Sequence, residues 1–242
     1  MLRTLYAWSI GVVYTLFWSS LGILTWPLSP SGDLYLRYAR IWSRWTLASL
    51  GIPITVEGRD RVDPETPYLF MSNHRSTFDI FALFVATEHP LRMVAKRAIF
   101  FIPIFGWSLW MCGFIPIDRT DREAAIRSLE KAAERIRSGI SVLVFPEGTR
   151  SPDGRLLPFK KGGFVMALQS GAPIVPVVVL GTGRIMPKGS IRVGKAPVTV
   201  RFGEPIETAH RDLEDRDAVM AEVRFAMKRL GARPDRSERA GA

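Results

Sequence analysis

The sequence predicts an α/β fold in which a central, mostly parallel or mixed β-sheet is flanked by helices and preceded by two apolar helices. Two observations carry this prediction: an uncharged stretch opens the chain, and from about residue 54 short apolar runs alternate with helical patterns. Of the 242 residues, 47% are hydrophobic and 23% are charged, which excludes disorder throughout the chain. The single cysteine, Cys112, excludes a disulfide framework.

Residues 1–52 are predicted to form a membrane-anchoring helical hairpin. The segment 5–26 is uncharged, and as a helix it would be about 33 Å long, close to the thickness of a bilayer core. In the segment 34–50, three arginines share one narrow stripe of an otherwise apolar helix, as in helices that lie in the headgroup plane. Two arrangements stay open: a hairpin within one leaflet, or one span followed by an interfacial helix. A cleaved signal peptide is disfavoured because the apolar run is too long.

The net charge of +10 is concentrated near the ends of the chain, where residues 1–52 and 228–242 hold six of the ten excess positive charges. Nucleic acid is not an expected partner, because nucleic-acid-binding proteins typically carry a basic stripe with interleaved aromatics in their body. An anionic membrane surface, an acidic carrier protein or a phosphorylated substrate suits this layout. The arginines that follow the apolar run predict that the rest of the chain lies on the cytoplasmic face of the inner membrane.

Residues 53–230 are predicted to form one α/β domain, and residues 231–242 a polar, disordered tail. Seven short apolar runs are typical of strands, and they cover residues 54–56, 68–71, 93–95, 114–117, 142–145, 174–179 and 198–202. Four helical patterns alternate with these runs, at about residues 77–88, 121–138, 162–170 and 212–230. The apolar stretch 98–113 has two open interpretations, since it is either core or a surface that faces lipid or an acyl chain.

His74 and Asp79 follow the strand predicted over residues 68–71, and α/β folds place their sites at the carboxyl ends of strands. On one continuous helix a spacing of five separates two side chains by about 140°, so these two meet only if the backbone turns between them. Capping of a helix by Ser76 would allow this, and Asp79 would then orient His74 as a general base. On spacing alone the alternative is stronger, in which Asp79 only complements the helix N-terminus.

A protein nucleophile is not apparent in the sequence. There is no G-x-S-x-G motif, and Cys112 lies in the apolar stretch 98–113, where packing is the better interpretation. Three histidines and one cysteine leave little material for a zinc site. A base at His74 would therefore act directly on a substrate hydroxyl or on water.

A second motif, Phe-Pro-Glu-Gly-Thr-Arg-Ser at residues 145–151, follows the strand predicted over residues 142–145. Together with Asn-His-Arg-Ser-Thr-Phe-Asp at residues 73–79, it resembles the glycerolipid acyltransferase family with its H-x4-D motif, and within it the 1-acylglycerol-3-phosphate acyltransferases. Two further blocks agree in order: residues 113–119 resemble the family's G-x-I-x-I-D-R block, and residues 174–179 resemble its proline-containing strand. The resemblance covers about residues 54–205.

The resemblance implies acyl transfer from a thioester, either acyl-carrier protein or acyl-CoA, to the sn-2 hydroxyl of a lysophosphatidate, with phosphatidate as the product. His74 would be the general base and Asp79 its support. The residues implied in binding the acceptor are Lys96, Arg119, Glu147, Gly148, Thr149 and Arg150. Because basic side chains would neutralise the acceptor's phosphate, no metal ion or cofactor is expected.

Some assignments within this resemblance stay open. Arg119 is either a phosphate ligand or a structural partner of Asp118, and Lys160 and Lys161 are either phosphate ligands or solvated charges. The acceptor is alternatively glycerol-3-phosphate, a lyso-ornithine lipid or another lysophospholipid. Outside this reaction, the rivals are a non-catalytic membrane protein that binds anionic lipid, and a lipid esterase or thioesterase.

Overall fold

The computed structural model describes residues 1–118 and 122–232. Its centre is a seven-stranded sheet with the strand order β1-β7-β6-β2-β5-β3-β4. The strands are β1 (Ile54–Glu57), β2 (Leu69–Ser72), β3 (Arg92–Lys96), β4 (Ile115–Ile117), β5 (Val142–Val144), β6 (Ile174–Leu180) and β7 (Val198–Phe202). Every neighbouring pair is parallel except β6 and β7, which run antiparallel. The predicted mixed, mostly parallel sheet is confirmed, and all seven predicted strands are present.

Eight α-helices precede or flank the sheet in the described residues. They are α1 (Leu2–Thr25), α2 (Asp33–Ser49), α3 (Phe78–Ala86), α4 (Phe105–Met111), α5 (Arg122–Arg137), α6 (Gly162–Ser170), α7 (Thr182–Ile185) and α8 (Arg216–Ala232). The two predicted N-terminal helices and the four predicted body helices are found close to their expected bounds. The short helices α4 and α7 have no counterpart among the predictions.

The helices form two layers, one on each face of the sheet. Helices α5, α6 and α8 cover one face, where Ile136, Phe164 and Val223 share a buried cluster with Leu69 and Met71 of β2. Helices α2, α3 and α4 cover the other face, which forms a second buried cluster. Because both faces are covered, the central strands are apolar on both sides and read as continuous apolar runs in the sequence.

The N-terminal hairpin packs against this body. Gly22 of α1 lies against the ring of Tyr35 in α2, and the side chain of Arg3 donates hydrogen bonds to the carbonyls of Leu50 and Gly194. The segment Leu2–Leu28 is long and apolar enough to cross a membrane. Much of its surface is apolar and exposed, through Leu2, Leu5, Tyr6, Trp8, Val12, Val13, Leu16, Phe17, Leu24, Trp26 and Leu28.

The apolar stretch 98–113 is core on one side and exposed on the other, and contact of its exposed side with lipid or an acyl chain stays a prediction. Phe100, Leu109 and Cys112 are buried in the core, and burial raises the pKa of the Cys112 thiol to about 12. This thiol therefore stays protonated and packs as a small apolar group. On the outer side of the same stretch, Phe101, Ile102, Trp107 and Trp110 are exposed.

Candidate active site

The site lies where the carboxyl ends of neighbouring parallel strands meet at one edge of the sheet. Strand β2 lies between β5 and β6. The chain leaving β2 continues to β3, on the β5 side of β2, whereas the chain leaving β5 crosses back to β6, on the opposite side of β2. Such a change of direction opens a crevice above the strand ends, where α/β proteins bind their ligands. The segments that follow β2, β5 and β6 supply the residues described next.

His74 and Asp79 are in contact. His74 follows β2, Asp79 lies in the first turn of α3, and the distance between His74 Nδ1 and Asp79 Oδ2 is 2.8 Å. The backbone turns at Ser76, whose hydroxyl accepts a hydrogen bond from the N–H of Phe78 at 3.2 Å. The N-cap residue of α3 is Thr77, and its side chain makes no capping hydrogen bond, so Ser76 is not the predicted N-cap. Asp79 is fully buried, whereas 17% of the His74 side chain is exposed. The pair therefore presents its imidazole, and not its carboxylate, to the crevice.

The Asp79 carboxylate accepts four hydrogen bonds in total. Besides the His74 ring, the backbone N–H groups of Arg75 and Ser76 donate to Oδ2, at 2.7 and 2.9 Å. The hydroxyl of Thr182, at the start of α7, donates to Oδ1. These donors satisfy both oxygens and hold the carboxylate in one orientation. Because a carboxylate only accepts hydrogen bonds, Nδ1 of a neutral His74 imidazole would carry the hydrogen, and Nε2 would be the acceptor.

The loop after β5 braces His74 from the other side. The ring of Phe145 stacks on the imidazole, with a centroid distance of 3.9 Å. The carbonyl of His74 accepts a hydrogen bond from the N–H of Ser151 at 2.7 Å, and the N–H of His74 donates to Glu147 Oε1 at 2.8 Å. The motif at residues 145–151 therefore fixes both the backbone of His74, through hydrogen bonds, and its ring, through stacking.

Glu147 is buried, and both of its carboxylate oxygens are used inside the protein. Oε1 accepts from His74, and Oε2 accepts from the N–H of Leu157 at 2.8 Å. Burial raises the pKa of the Glu147 carboxyl. The contacts that the structure gives to Glu147 are those of a brace between two loops, and its direct contact with an acceptor stays a prediction.

Gly148, Thr149 and Arg150 form the turn between Glu147 and Ser151, the two residues that are bonded to the backbone of His74. Gly148 adopts a φ of +69°, a conformation that favours glycine. Its N–H donates to the carbonyl of Phe145 at 3.0 Å and is therefore engaged within the turn. Thr149 is exposed, and an Arg150 guanidinium nitrogen lies 3.4 Å from the hydroxyl of Thr77, just before α3. Arg150 is thus placed beside the loop that carries His74.

The remaining predicted residues are farther from His74. Lys96 is the last residue of β3, which lies two strands away from β2. Its backbone is therefore about 10 Å from the end of β2, at the same edge of the sheet. The Lys96 side chain is exposed. Lys160 and Lys161 are also exposed. Arg119 lies outside the described residues, and Asp118 forms an ion pair with Arg97 at 3.4 Å. Within residues 1–118 and 122–232, no three His, Cys, Asp or Glu side chains are grouped as metal ligands.

Three contacts of the site were not predicted from the sequence. Thr182 bonds to Asp79 from a segment outside both motifs. Asn73 extends β2 toward β6, because its side chain donates to the carbonyl of Val179 at 2.9 Å and accepts from the N–H of the same residue at 2.7 Å. The side chain of Arg75 lies against Gly154 and Gly183. The only sequence feature that could have indicated these contacts is the presence of Asn73 and Arg75 in the motif at residues 73–79.

Comparison with known proteins identifies relatives that are all named acyltransferases. The sequence profile of the Acyltransferase family matches residues 53–180. A 1-acyl-sn-glycerol-3-phosphate acyltransferase of Pseudomonas aeruginosa is 33% identical over 199 residues, which cover 77% of this chain and 76% of that protein. A protein of the same name from Chlamydomonas reinhardtii is 35% identical over 83% of this chain, and the chain spans only 62% of that relative's length.

A solved structure agrees with these sequence relatives. The crystal structure of the 1-acyl-sn-glycerophosphate (LPA) acyltransferase PlsC from Thermotoga maritima superposes on this chain with a TM-score of 0.81 and 27% sequence identity, covering 97% of each chain. The family match over residues 53–180 spans β1 to β6 and contains both motifs of the site. The chain therefore belongs to the acyltransferase family of enzymes.

Proposed function

We propose that this protein transfers an acyl group from an acyl thioester to the sn-2 hydroxyl of 1-acyl-glycerol-3-phosphate, which yields phosphatidate. The observation that carries the proposal is the hydrogen bond of 2.8 Å between His74 Nδ1 and the buried carboxylate of Asp79. The choice of acceptor is supported by relatives that are named 1-acyl-sn-glycerol-3-phosphate acyltransferases.

The pair suits general-base catalysis on an alcohol, with His74 as the base and Asp79 as its support. In the proposed step, Nε2 takes the proton of the sn-2 hydroxyl while the oxygen attacks the thioester carbonyl. The tetrahedral intermediate then expels the thiolate, which takes a proton back from the imidazolium, so that His74 returns to its starting state. Asp79 stabilises the imidazolium during this cycle, and such a base contributes about 10²–10⁴ in rate.

The acceptor's phosphate needs fixed positive charge near this base. Arg150 offers a planar fork of donors beside Thr77, and Thr149 offers an exposed hydroxyl in the same turn. Lys96 adds a point charge on the same sheet edge, and Arg119 is the corresponding proposal from the residues 113–119 block. Gly148 lets the backbone of this turn approach the acceptor closely.

The proposed place of the reaction is the cytoplasmic face of the inner membrane, with acyl-carrier protein or acyl-CoA as the donor. The exposed Phe101 and Ile102 follow closely after Lys96, at the edge of the sheet that carries the site. If they and the apolar surface of α1 enter one leaflet, the crevice lies at the depth of the headgroups. An acceptor could then keep its acyl chain in the leaflet while its hydroxyl reaches His74.

An acyl-transfer assay with the purified chain in detergent micelles tests the proposal. The acceptor is 1-oleoyl-lysophosphatidate, and palmitoyl-CoA and palmitoyl-carrier protein are offered as donors in turn. We expect phosphatidate as the product, with the new acyl group released by an sn-2-specific phospholipase. His74→Ala should lower turnover about a thousandfold or more without a change in thermal unfolding. His210→Ala, which removes an exposed histidine, is the matched control and should keep full activity.

Other outcomes would replace the proposal with a specific alternative. Release of free fatty acid without need for an acceptor would identify an esterase or thioesterase. Higher kcat/KM with glycerol-3-phosphate or a lyso-ornithine lipid would assign a different acceptor. Absence of turnover, together with lipid binding that His74→Ala leaves intact, would identify a non-catalytic lipid-binding protein.

A further inference from the structure

Arg75, the residue after His74, has a charged side chain that forms no ion pair within the described residues. Its Nε is buried and meets no hydrogen-bond partner in that part of the chain. A buried N–H that is left without a hydrogen-bond partner costs free energy, so a folded protein normally pairs such a group or reserves it for a ligand.

The path of this side chain is kept open by two glycines from distant segments of the chain. A Cβ at Gly154 would overlap the guanidinium of Arg75, and a Cβ at Gly183 would lie 3.0 Å from its Cζ and Nε. Gly154 lies in the loop after the residues 145–151 motif, and Gly183 lies in α7, next to Thr182. A side chain at Gly154 or at Gly183 would displace the guanidinium, so its present position requires glycine at both places.

The carboxylates of the site are already bonded to other groups. Asp79 accepts four hydrogen bonds, of which the backbone N–H of Arg75 donates one. Glu147 accepts from two backbone N–H groups, and Asp153 accepts from the hydroxyl of Ser151 and the N–H of Arg155. The charge of Arg75 is therefore available to an anion that comes from outside the protein.

Arg75 and Arg150 belong to the same small region. Arg150 approaches Thr77, two residues after Arg75, and Ser151 is bonded to the carbonyl of His74. Two guanidinium groups thus border the loop that carries the proposed base. A phosphate monoester has a charge of about −1.5 to −2 at pH 7, which calls for more than one cation. A phosphodiester has a single negative charge and one fewer oxygen to accept hydrogen bonds.

We propose that Arg75 is a second phosphate-binding residue besides Arg150, and that it makes the site select acceptors with a phosphate monoester over lysolipids with a phosphodiester headgroup. This inference rests on the proposed function, because it assigns a specificity-determining residue to the same reaction. Arg75 binds the dianionic headgroup, and His74 and Asp79 carry out the proton transfer.

The test compares kcat/KM for 1-oleoyl-lysophosphatidate, a monoester, and 1-oleoyl-lysophosphatidylglycerol, a diester, in detergent micelles. We expect Arg75→Gln to lower kcat/KM for the monoester about 10- to 100-fold, mostly through KM, and to lower the value for the diester much less. Arg75→Lys should keep part of the preference, because it keeps the charge but loses the planar fork. Arg184→Gln, which removes an exposed arginine next to Gly183, is the matched control and should keep the wild-type ratio.

A second variant covers the case in which Arg75→Gln does not fold. Gly183→Ala keeps all charges but brings a methyl group against the guanidinium, so we expect a smaller loss of monoester preference. The inference is overturned if Arg75→Gln leaves the ratio of kcat/KM for the monoester to kcat/KM for the diester unchanged, or lowers both values equally. Where Arg75→Gln does not fold, the same results in Gly183→Ala overturn it. These results leave the proposed function standing, whereas a wild-type protein that does not acylate lysophosphatidate would overturn the proposed function itself.

Discussion

Asp79 connects parts of the site that are far apart in the sequence. Three of its hydrogen-bond donors come from residues 74–76, but the fourth, Thr182, lies 103 residues away. Thr182 is fully buried and cannot exchange this contact for water. The orientation of the carboxylate, and through it that of the His74 ring, therefore depends on the start of α7 as well as on the first motif.

Thr182→Val tests this dependence, because valine has a similar shape but no hydroxyl. We expect kcat for acyl transfer to fall about tenfold, the equivalent of one lost hydrogen bond to a charged group, while KM for the acceptor stays within about twofold. A steady-state kinetic comparison with the wild type measures both values.

Thr208→Val is the matched control for this prediction. Thr208 is also fully buried, and its hydroxyl donates to the backbone carbonyl of Ala172, away from the site. The control should lose thermal stability to a similar degree but keep the wild-type kcat. If both variants lose kcat equally, Thr182 supports only the fold.

At the scale of elements, the hairpin depends on a close approach of α1 and α2. A Cβ at Gly22 would overlap the ring of Tyr35, and the hydroxyl of Tyr35 is bonded to Ser108 of α4 at 2.8 Å. The ring is therefore held from the other side and has little room to move. One glycine thus determines how α1 sits on both α2 and α4.

Two alanine substitutions in the same helix separate packing from helix propensity. Gly22→Ala should lower the free energy of unfolding by about 1–3 kcal/mol, because the added methyl group overpacks the contact with Tyr35. Gly11→Ala meets no atom within 4 Å and should raise stability by about 0.5–1 kcal/mol, because alanine favours the helix. Thermal unfolding in detergent micelles measures both, and equal effects would contradict the packing contact.

The sequence patterns located most elements because their signals are local. Buried parallel strands such as β6 appear as continuous apolar runs, and α5 shows apolar residues at intervals of three and four. The helices α4 and α7 span only seven and four residues, which is too short for a helical period to be recognised. These two helices nevertheless position the exposed tryptophans and Thr182.

At the scale of the whole molecule, most of the exposed large apolar side chains in the described residues lie in two segments, residues 1–28 and 98–113. Helix α1 packs against α4, and α4 carries the exposed Trp107 and Trp110. An exposed apolar surface of this extent marks a contact with lipid or with another protein. The basic N-terminal and C-terminal segments favour an anionic lipid surface.

Matched phenylalanine substitutions test membrane binding. Phe17→Glu places a charge on the exposed surface of α1, and we expect it to lower partition into anionic phospholipid vesicles about 10- to 100-fold. Phe225→Glu makes the same change on α8, on the opposite layer of the molecule, and should leave partition unchanged; the two side chains are 53% and 62% exposed. Vesicle flotation measures the bound fraction, and equal losses in both variants would contradict a membrane surface at α1.

The sequence by itself determined the seven strands, six of the eight helices of the described residues, and the position of His74 in a loop with Asp79 at the start of the next helix. Strand and helix periods and the two motifs are encoded by residues within a few positions of each other, so they can be recognised without a structure. Spacing alone favoured a purely structural Asp79, and the turn of the backbone at Ser76 brings it to His74 at 2.8 Å.

Only the tertiary structure decided which distant segments meet around that loop. The pairing of β2 with β5 brings Glu147 to His74 across 73 residues, and the end of β6 brings Thr182 to Asp79. The same packing leaves Arg75 between Gly154 and Gly183. These contacts follow from the order of the strands in the sheet, and no local period in the sequence encodes that order.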